Sequence, residues 1–592
     1  MRTEFYIDYN LYDITALNDA RESSSSNAPF ANINRIKENL LAPDYGTLEH
    51  NFFVLDGSRE EFPDSPEDLV YFSAGQSGPD GTFSAEQSIT IRFTENHTSV
   101  GLTLVFLDSY PIELEIYWYD LEGNLKSRRK FYPDALMYFC EHQVEEYGQI
   151  KIIFQKALPW HNVKLQYIKY GTSITWNSDT IKTGKLINDV DPISDRLTTD
   201  TLTFEFIDEH DEFNLGNQGG MHKTFQRRQN MLAYERVGEE TVPLGTFFLE
   251  SSSITKNICK MTAIDYKGML ANVDFIDGRM YNGEKAGGII TEIMAAAGIE
   301  AYTVDEETAN TPLYGTLKIQ TCQKALREVL FACGSMINTS RQDGISIYSS
   351  KKIVSAGIER ERKFETTLEA DRYVSDVSVK YQTWTLEDKI SEITKGVYPA
   401  GTHMIQLTSP AARMTTNVGR IIKQMTYYVI LEVPAQSRSE VIISGQKYVG
   451  EELAALSSIE RIKSGELRNS KTLSGTLLNL EAAQRIADKI LDYFQMQQII
   501  KTKYIASSEK AGDMVEIENP SRKHGNFVAS IESVTTDLTG GFISTAKCRG
   551  YYKTLTDYYM TGEIYTGEDI GMSSLGNSIM NQSKGVGFQK WN

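Results

Sequence analysis

Apolar and polar residues alternate with a period of two through most of this chain, the pattern of strands that turn one face to a core. It begins at once, in MRTEFYIDYNLYDITA. Between residues 47 and 170 it recurs in SITIRFTENHTSVGLTLVFL, IELEIYWYDLEGNLKSRRKFY, IKIIFQK and VKLQYIKYG, split by Gly, Asn, Asp and Pro turns. YDLEGNLK reads as a hairpin connection. The size and strand spacing of this block suit a β-sandwich. Residues 20–43, with their SSSS run, read as a linker that leaves the first strand.

From Ile174 a second β region begins, with LTFEFIDEHDEFN as a strand and acidic turn and RRQNMLAYERVGEETVPLGTFFLESSSITKNICKMTAIDYKGML as three strands. The period then changes. AGGIITEIMAAAGIE sets Ile290, Ile293, Met294 and Ala297 on one helical face and stops at Gly298. TCQKALREVLFACGS has Thr321 as N-cap, Ala325, Leu326, Val329, Leu330 and Cys333 inward, and Gly334 as its stop. From about Tyr373 strands return, interrupted by one helix in NLEAAQRIADKILDYFQMQQI, where Asn479 caps and Ala483, Ala487, Ile490 and Phe494 form a stripe. EKAGDMVEIENPSRKHGNFVASIESVTTDLTGGFISTAKCRGYY closes the β texture as a meander, with Cys548 a buried thiol or an interface position. The last stretch, 561–592, is rich in Gly, Ser and Asn, and is expected to be flexible until a partner orders it.

The chain therefore reads as mainly β with small α+β modules. The expected domains are 1–20 with 171–275, an inserted sandwich at 45–170, a two-helix module at 280–355, a second β domain at 365–560 and the tail at 561–592.

Composition sharpens this picture in two places. A formal net charge of −19 argues against a protein that holds duplex by neutralising phosphates, although an acidic wall would let DNA pass without sticking. Five scattered cysteines without CxxC spacing read as reduced and mostly buried. No secretion signal opens the chain, and no apolar run is long enough to span a bilayer.

Catalytic signatures are missing from the sequence: no HExxH, GxSxG, Walker loop or Rossmann fingerprint follows the expected elements, and the eight histidines are dispersed. The cluster Asp208, Glu209, His210, Asp211 and Glu212 has the residue types of a metal or acid/base site, but a solvated turn explains it more simply. The basic run from Lys126 to Tyr132 is read as a solvated hairpin arm rather than a nucleic-acid patch. Asp513 and His524 fall in turns of the closing meander. Tyr117, Trp118 and Tyr119 are the candidate glycan contacts, although alternation sends Trp118 to the opposite face from the two tyrosines. No catalytic, cofactor-binding or metal residue is assigned.

Taken in order, DTLTFEFIDEHDEFN, RRQNMLAYERV, VPLGTFFLESSSI and MTAIDYKGMLANVDF resemble the strands of the baseplate hub, or tail-tip, proteins of bacteriophages and phage tail-like particles, contractile injection systems included. AGGIITEIMAAAGIE and LREVLFACGSMINTSRQDGISIYSS match the helical module that follows, and NLEAAQRIADKILDYFQ with the closing meander match its end. The likeness covers roughly 171–555 and the first strand. The resemblance implies two tail-tube-like β-barrel domains per chain and a homotrimer joining a sixfold tail tube to a threefold central spike. It also implies a channel for tape measure protein and DNA, further contacts with baseplate wedge or peripheral proteins, and assembly in the host bacterial cytoplasm. It implies no enzyme, no cofactor and no membrane insertion. The 45–170 block is similar to galactose-binding-like sandwiches inserted in some tail proteins. Because the sequence stops at Asn592, no peptidase or lysozyme domain is expected after the closing strands. Two other readings stay open: a glycan-binding receptor-binding protein acting through the sandwich, and a cell-wall hydrolase with a non-standard carboxylate pair.

Overall fold

The computed structural model describes residues 3–36, 47, 49, 69–208, 213, 229–237, 240–349, 354–372, 374–434, 440–459, 467–518, 520, 525–539 and 541–553. These divide into two compact units, residues 1–184 with 202–264, and residues 185–201 with the chain from 265 onward. Both are built mainly of strands, with small helical modules, as the period-two pattern implies.

In the first unit six strands lie in the order Gly171–Asn177, Thr3–Tyr12, Asn230–Val237, Glu240–Thr255, Ile258–Asp265 and Thr201–Ile207. Laid flat, the outer strands of such a sheet would stand about 24 Å apart. Yet Trp176 on one outer strand meets Phe204 and Phe206 on the other at ring-centroid distances of 5.1 and 4.7 Å. The sheet therefore curls until its edges share an aromatic core, which Tyr9 and Phe213 complete at 6.1 and 5.8 Å from Trp176.

The same unit carries the expected sandwich in a different form. Its strands make one hydrogen-bonded sheet of seven, in which Thr82–Phe106 and Met137–Lys156 are the long central pair. The register of that pair shifts between Arg92 and Gly101, where the strands bend. Ile89 and Ile91 before the bend then share a core with Leu102 and Leu104 after it. Part of the expected linker belongs here. Arg21–Ser23 pairs with Thr90 to Arg92, and the buried Ser26 hydroxyl accepts from Ser88 N at 2.9 Å. Short hydroxyls can satisfy backbone groups as a strand would, so a serine run that reads as linker here serves as an edge. Residues 37–43 lie outside the described residues. Helix Ile14–Asp19 is clamped at both ends by buried His97, 3.3 Å from Asp13 and 3.0 Å from Asp19.

In the second unit six strands run in the order Val354–Ile358, Met514–Ile517, Phe527–Asp537, Ile543–Tyr552, Gln498–Ile505 and Lys363–Ala370. Lys185 to Asp189 pair with the end of Phe527–Asp537. This sheet also has to curl. The chain passes from the first strand to the sixth between Ile358 and Lys363, and five residues reach at most ~18 Å, less than the ~24 Å of a flat sheet. Arg362 in that crossing donates to Ile505 O on the fifth strand at 3.0 Å and to Gly357 O on the first at 2.5 Å. Ile358, Ile500, Tyr504, Ile517, Phe527 and Cys548 form one core.

The helices fall where periodicity places them, at Ala286–Ala297, Cys322–Cys333 and Leu480–Phe494. Thr321 and Asn479 cap their helices, and Gly298 and Gly334 stop theirs with φ of 66° and 67°. The third helix joins the first two in one core through Ile486, Ile490 and Phe494. Arg485 donates to Ala332 O at 2.9 Å, answering an open carbonyl at the end of Cys322–Cys333. This proximity leaves no room at Gly334, where an added Cβ would sit 2.9 Å from the Ile486 side chain.

Candidate functional site

The sequence-predicted residues that the structure describes are scattered, and among the described residues no pair of them is brought together as a reactive centre. Trp118 is 0% exposed in the core of the first unit, while Tyr117 and Tyr119 lie half-buried on the other face with rings stacked at 6.4 Å. Tyr117 and Tyr119 thus present surface and Trp118 presents none. Asp208 accepts from Phe213 N at 2.9 Å and closes a turn; residues 209–212 lie outside the described residues, as does His524. Asp513 accepts from Lys510 N at 3.1 Å, also in a turn, and burial raises its pKa. In the basic run, Lys130 is paired with Glu113 at 2.6 Å. All five cysteines are free and buried, and burial pushes Cys259 up to about 12 and Cys322 up to about 11. Among the described residues no group of three His, Cys, Asp or Glu is placed to hold a metal ion, and no helix is long and apolar enough to cross a membrane. The expected tail at 561–592 is outside the described residues.

Two ionic centres in the second unit were not singled out in sequence. In the first, Lys267 is fully buried, 2.8 Å from Asp200 and 3.5 Å from Asp265, and it donates to Asp189 O at 2.9 Å. Thr339 donates to both carboxylates, at 3.1 and 2.6 Å, and Asn188 to Asp200 at 2.9 Å. Four separate segments meet at this one charge. Burial pushes Asp265 up to about 7 against the pull of Lys267, and the two carboxylates keep Lys267 above its ordinary value despite its own burial. The sequence signal was AIDYKG: an Asp that ends a strand and caps the next turn through Gly268 N, with a Lys two residues on.

The second centre lies on the sheet. Glu532 accepts from Tyr493 and Lys547 at 2.6 Å each and from Arg549 at 3.1 Å, and Arg549 continues to Asp371 at 2.6 Å. Burial pushes Glu532 up, but the bonds from Lys547 and Tyr493 outweigh it and hold the carboxyl below its ordinary range. Tyr493 also borders a largely apolar cavity of about 370 Å³ with Ile193, Ile486, Ile490, Met496 and Tyr551. These groups are saturated by one another, which suits them to holding elements together rather than to moving protons.

Asp376–Gly396 and Val441–Ser458 pair as a ribbon of roughly 65 Å. Its far half is covered by Gly401–Gln406, Arg420–Gln424 and Tyr428–Val433 over a small core. Its middle, around Gln382 to Ile390 and Val449 to Ala454, is exposed on both faces, Ile390 and Val449 included. A bare two-stranded ribbon is marginal in water, so this segment draws little stability from burial of its own.

No family model and no curated protein matches the chain. Among solved structures it is similar to a tail protein from Neisseria meningitidis MC58, at 11% identity and TM-score 0.38, over 62% of this chain and 92% of that one. It is also similar to the prophage tail protein gp18 from Listeria monocytogenes EGD-e, at 8% identity and TM-score 0.36, over 66% and 94%. A third similarity is to a chain of the phage P2 baseplate in its activated conformation, at 8% identity and TM-score 0.25, over 66% and 92%.

Proposed function

We propose that this chain is a baseplate hub or tail-tip subunit of a phage or phage tail-like particle. The observation that carries the reading is internal: each unit contains a six-stranded sheet curled on itself, so one chain supplies two tube-like modules. In this reading residues 1–20 with 171–275 form one module, 365–560 the other, 280–355 a brace and 45–170 an inserted domain. Three copies closing a ring would then present six such modules to a sixfold tail tube while keeping threefold symmetry towards a central spike. The ring would leave a channel for tape measure protein and DNA, with wedge or peripheral proteins outside. The acidic balance of −19 keeps DNA from sticking to the wall. The protein works by assembly, without making or breaking bonds, in the tail of a particle built in a bacterial cytoplasm. Mass measurement of the purified chain together with a cryo-EM map of the particle tests this. A threefold ring at the end of the tube is expected; a sixfold position or a place on peripheral fibres would overturn it.

A second reading has one observation in its favour, the stacked and half-exposed Tyr117–Tyr119 pair. It gives the folded sheet of the first unit a carbohydrate-stacking role. Saccharide binding that is lost in Tyr117→Ala would support it, and no binding to a glycan panel would remove it.

A further inference from the structure

The cavity of about 370 Å³ that Tyr493 borders lies between the helix Leu480–Phe494 and the second curled sheet. Strand parity places it there. Val515, Ile517, Ala529 and Ile531 point into the core of that sheet. Met514 and Ser530, which stand opposite each other on neighbouring strands, therefore face outward and form the floor. The helix supplies Ile486 and Ile490 above them, and Ile193 closes a side. Apolar side chains make most of this wall, and the volume is that of a small-ligand pocket.

Two polar groups on this wall have bonding capacity to spare. Lys489 is the first. Its ammonium donates to Gly334 O, the stop of the helix Cys322–Cys333, and among the described residues it forms no ion pair. Burial holds it below its ordinary value; Glu307 and Asp305 pull it up from a distance, and Arg485 opposes them. An ammonium carries three donors, and a half-buried charge without a counterion is costly. Ser530 is the second: it is buried on the floor, and among the described residues its hydroxyl makes no hydrogen bond. Other polar groups of the wall are engaged. Tyr493 donates to Glu532 at 2.6 Å, and Gln495 donates to Val374 O and Leu491 O at 3.3 Å each. Asp492 also borders the cavity but is exposed to solvent.

We propose that this cavity binds a medium-length aliphatic carboxylate, its chain among Ile193, Ile486, Ile490 and Met514 and its carboxylate on Lys489. Each half of the ligand answers one feature of the wall. An uncharged alkyl chain would leave the ammonium without a counter-charge. A small hydrated anion would leave the apolar wall facing water. A carboxylate on one aliphatic chain satisfies both, and the charge-assisted bond to Lys489 fixes its direction in the cavity. The inference holds for a single chain and does not depend on the ring proposed above. The ligand would touch the helix and the strands of Met514 and Ser530 together, so occupancy stabilises the second unit by mass action.

Calorimetric titration of the full-length chain with decanoate, decanol, decylammonium and acetate tests it, each below the concentration at which it self-associates. Decanoate should bind once per chain, at least about 10-fold more tightly than decanol or decylammonium, and acetate should not bind. Lys489→Met keeps the aliphatic stem and removes the ammonium; it should weaken decanoate about 10-fold and leave decanol unchanged. Ser530→Leu fills the floor and should weaken both by at least about 10-fold. Amide exchange on the unsubstituted chain locates the ligand: decanoate should slow Leu480–Phe494 and Phe527–Asp537. No saturable binding of decanoate, equal affinity for the three decyl compounds, or slowing confined to other segments overturns the proposal, and none of these readings needs a variant to fold. Decanoate binding unchanged in both Lys489→Met and Ser530→Leu overturns it as well.

Discussion

Replacing Lys267 with methionine should destabilise the second unit sharply, because it deletes the one cation and leaves two carboxylates buried around it. Methionine matches the lysine stem in volume, so packing changes little. The loss is electrostatic: the 2.8 Å bond to Asp200, the 3.5 Å pairing with Asp265 and the 2.9 Å bond to Asp189 O. Removing one partner of a buried pair costs about 3–5 kcal/mol. The lower end applies here. Asp265 is already pushed up to about 7 and can take a proton, while Asp200 keeps its bonds from Asn188, Asp189 N and Thr339. A cost of about 3 kcal/mol corresponds to roughly 100-fold greater opening of the surrounding segments. A chain of several modules does not unfold in one step, so the assay is native-state amide exchange followed on Cys322–Cys333 and Ser335–Asn338. A change below about 1 kcal/mol would show that the cluster is not a structural tie. Asp265 adds a pH signature. Its folded value lies above its ordinary 3.8, so between 3.8 and about 7 the folded chain holds a proton that the unfolded chain releases. This contribution is present at the acid end, is lost as pH rises through 7 and is constant above it. The slope reaches at most about 1.4 kcal/mol per pH unit and should vanish in Asp265→Asn.

Three other outcomes follow from the packing. Gly550→Ala would place a Cβ 2.0 Å from the backbone oxygen of Val528, so the Ile543–Tyr552 and Phe527–Asp537 strands must separate; loss of soluble full-length protein, or a thermal midpoint lowered by several degrees, is expected. Trp118→Ala should cost about 3–5 kcal/mol in the first unit by chemical denaturation, whereas Tyr119→Ala on the opposite face should cost under about 1 kcal/mol. Breaking the exposed pair Lys501–Glu369, 2.9 Å apart, should change stability by less than about 0.5 kcal/mol in a double-mutant cycle.

Local order was legible in the chain because its causes are local. Period-two alternation marks the strands. The caps Thr321 and Asn479 and the stops Gly298 and Gly334 mark the helices within a residue of where they stand. The orientation of Trp118 against Tyr117 and Tyr119 follows from strand geometry alone. What sequence could not supply is every feature that joins residues far apart. Nothing in AIDYKG states that Lys267 will meet Asp200, Asp189 and Thr339, since that depends on three other segments arriving at one point. The serine run reads as linker because the partners of Ser26, Tyr71 and Ser88, lie 45 and 62 residues away in strands it cannot announce. That the third helix shares a core with the first two, with Ile486 packed against Gly334, is also invisible in its own periodicity. Curling of the two sheets is likewise tertiary: alternation is the same in a flat sheet and a closed one, and only Trp176 against Phe206, or the five-residue crossing at Arg362, distinguishes them. The sequence by itself determined which segments are strands and helices and which faces are apolar, because those depend on neighbours a few residues away. The tertiary structure alone decided which edges meet and which charges share a burial, because those depend on where the chain returns.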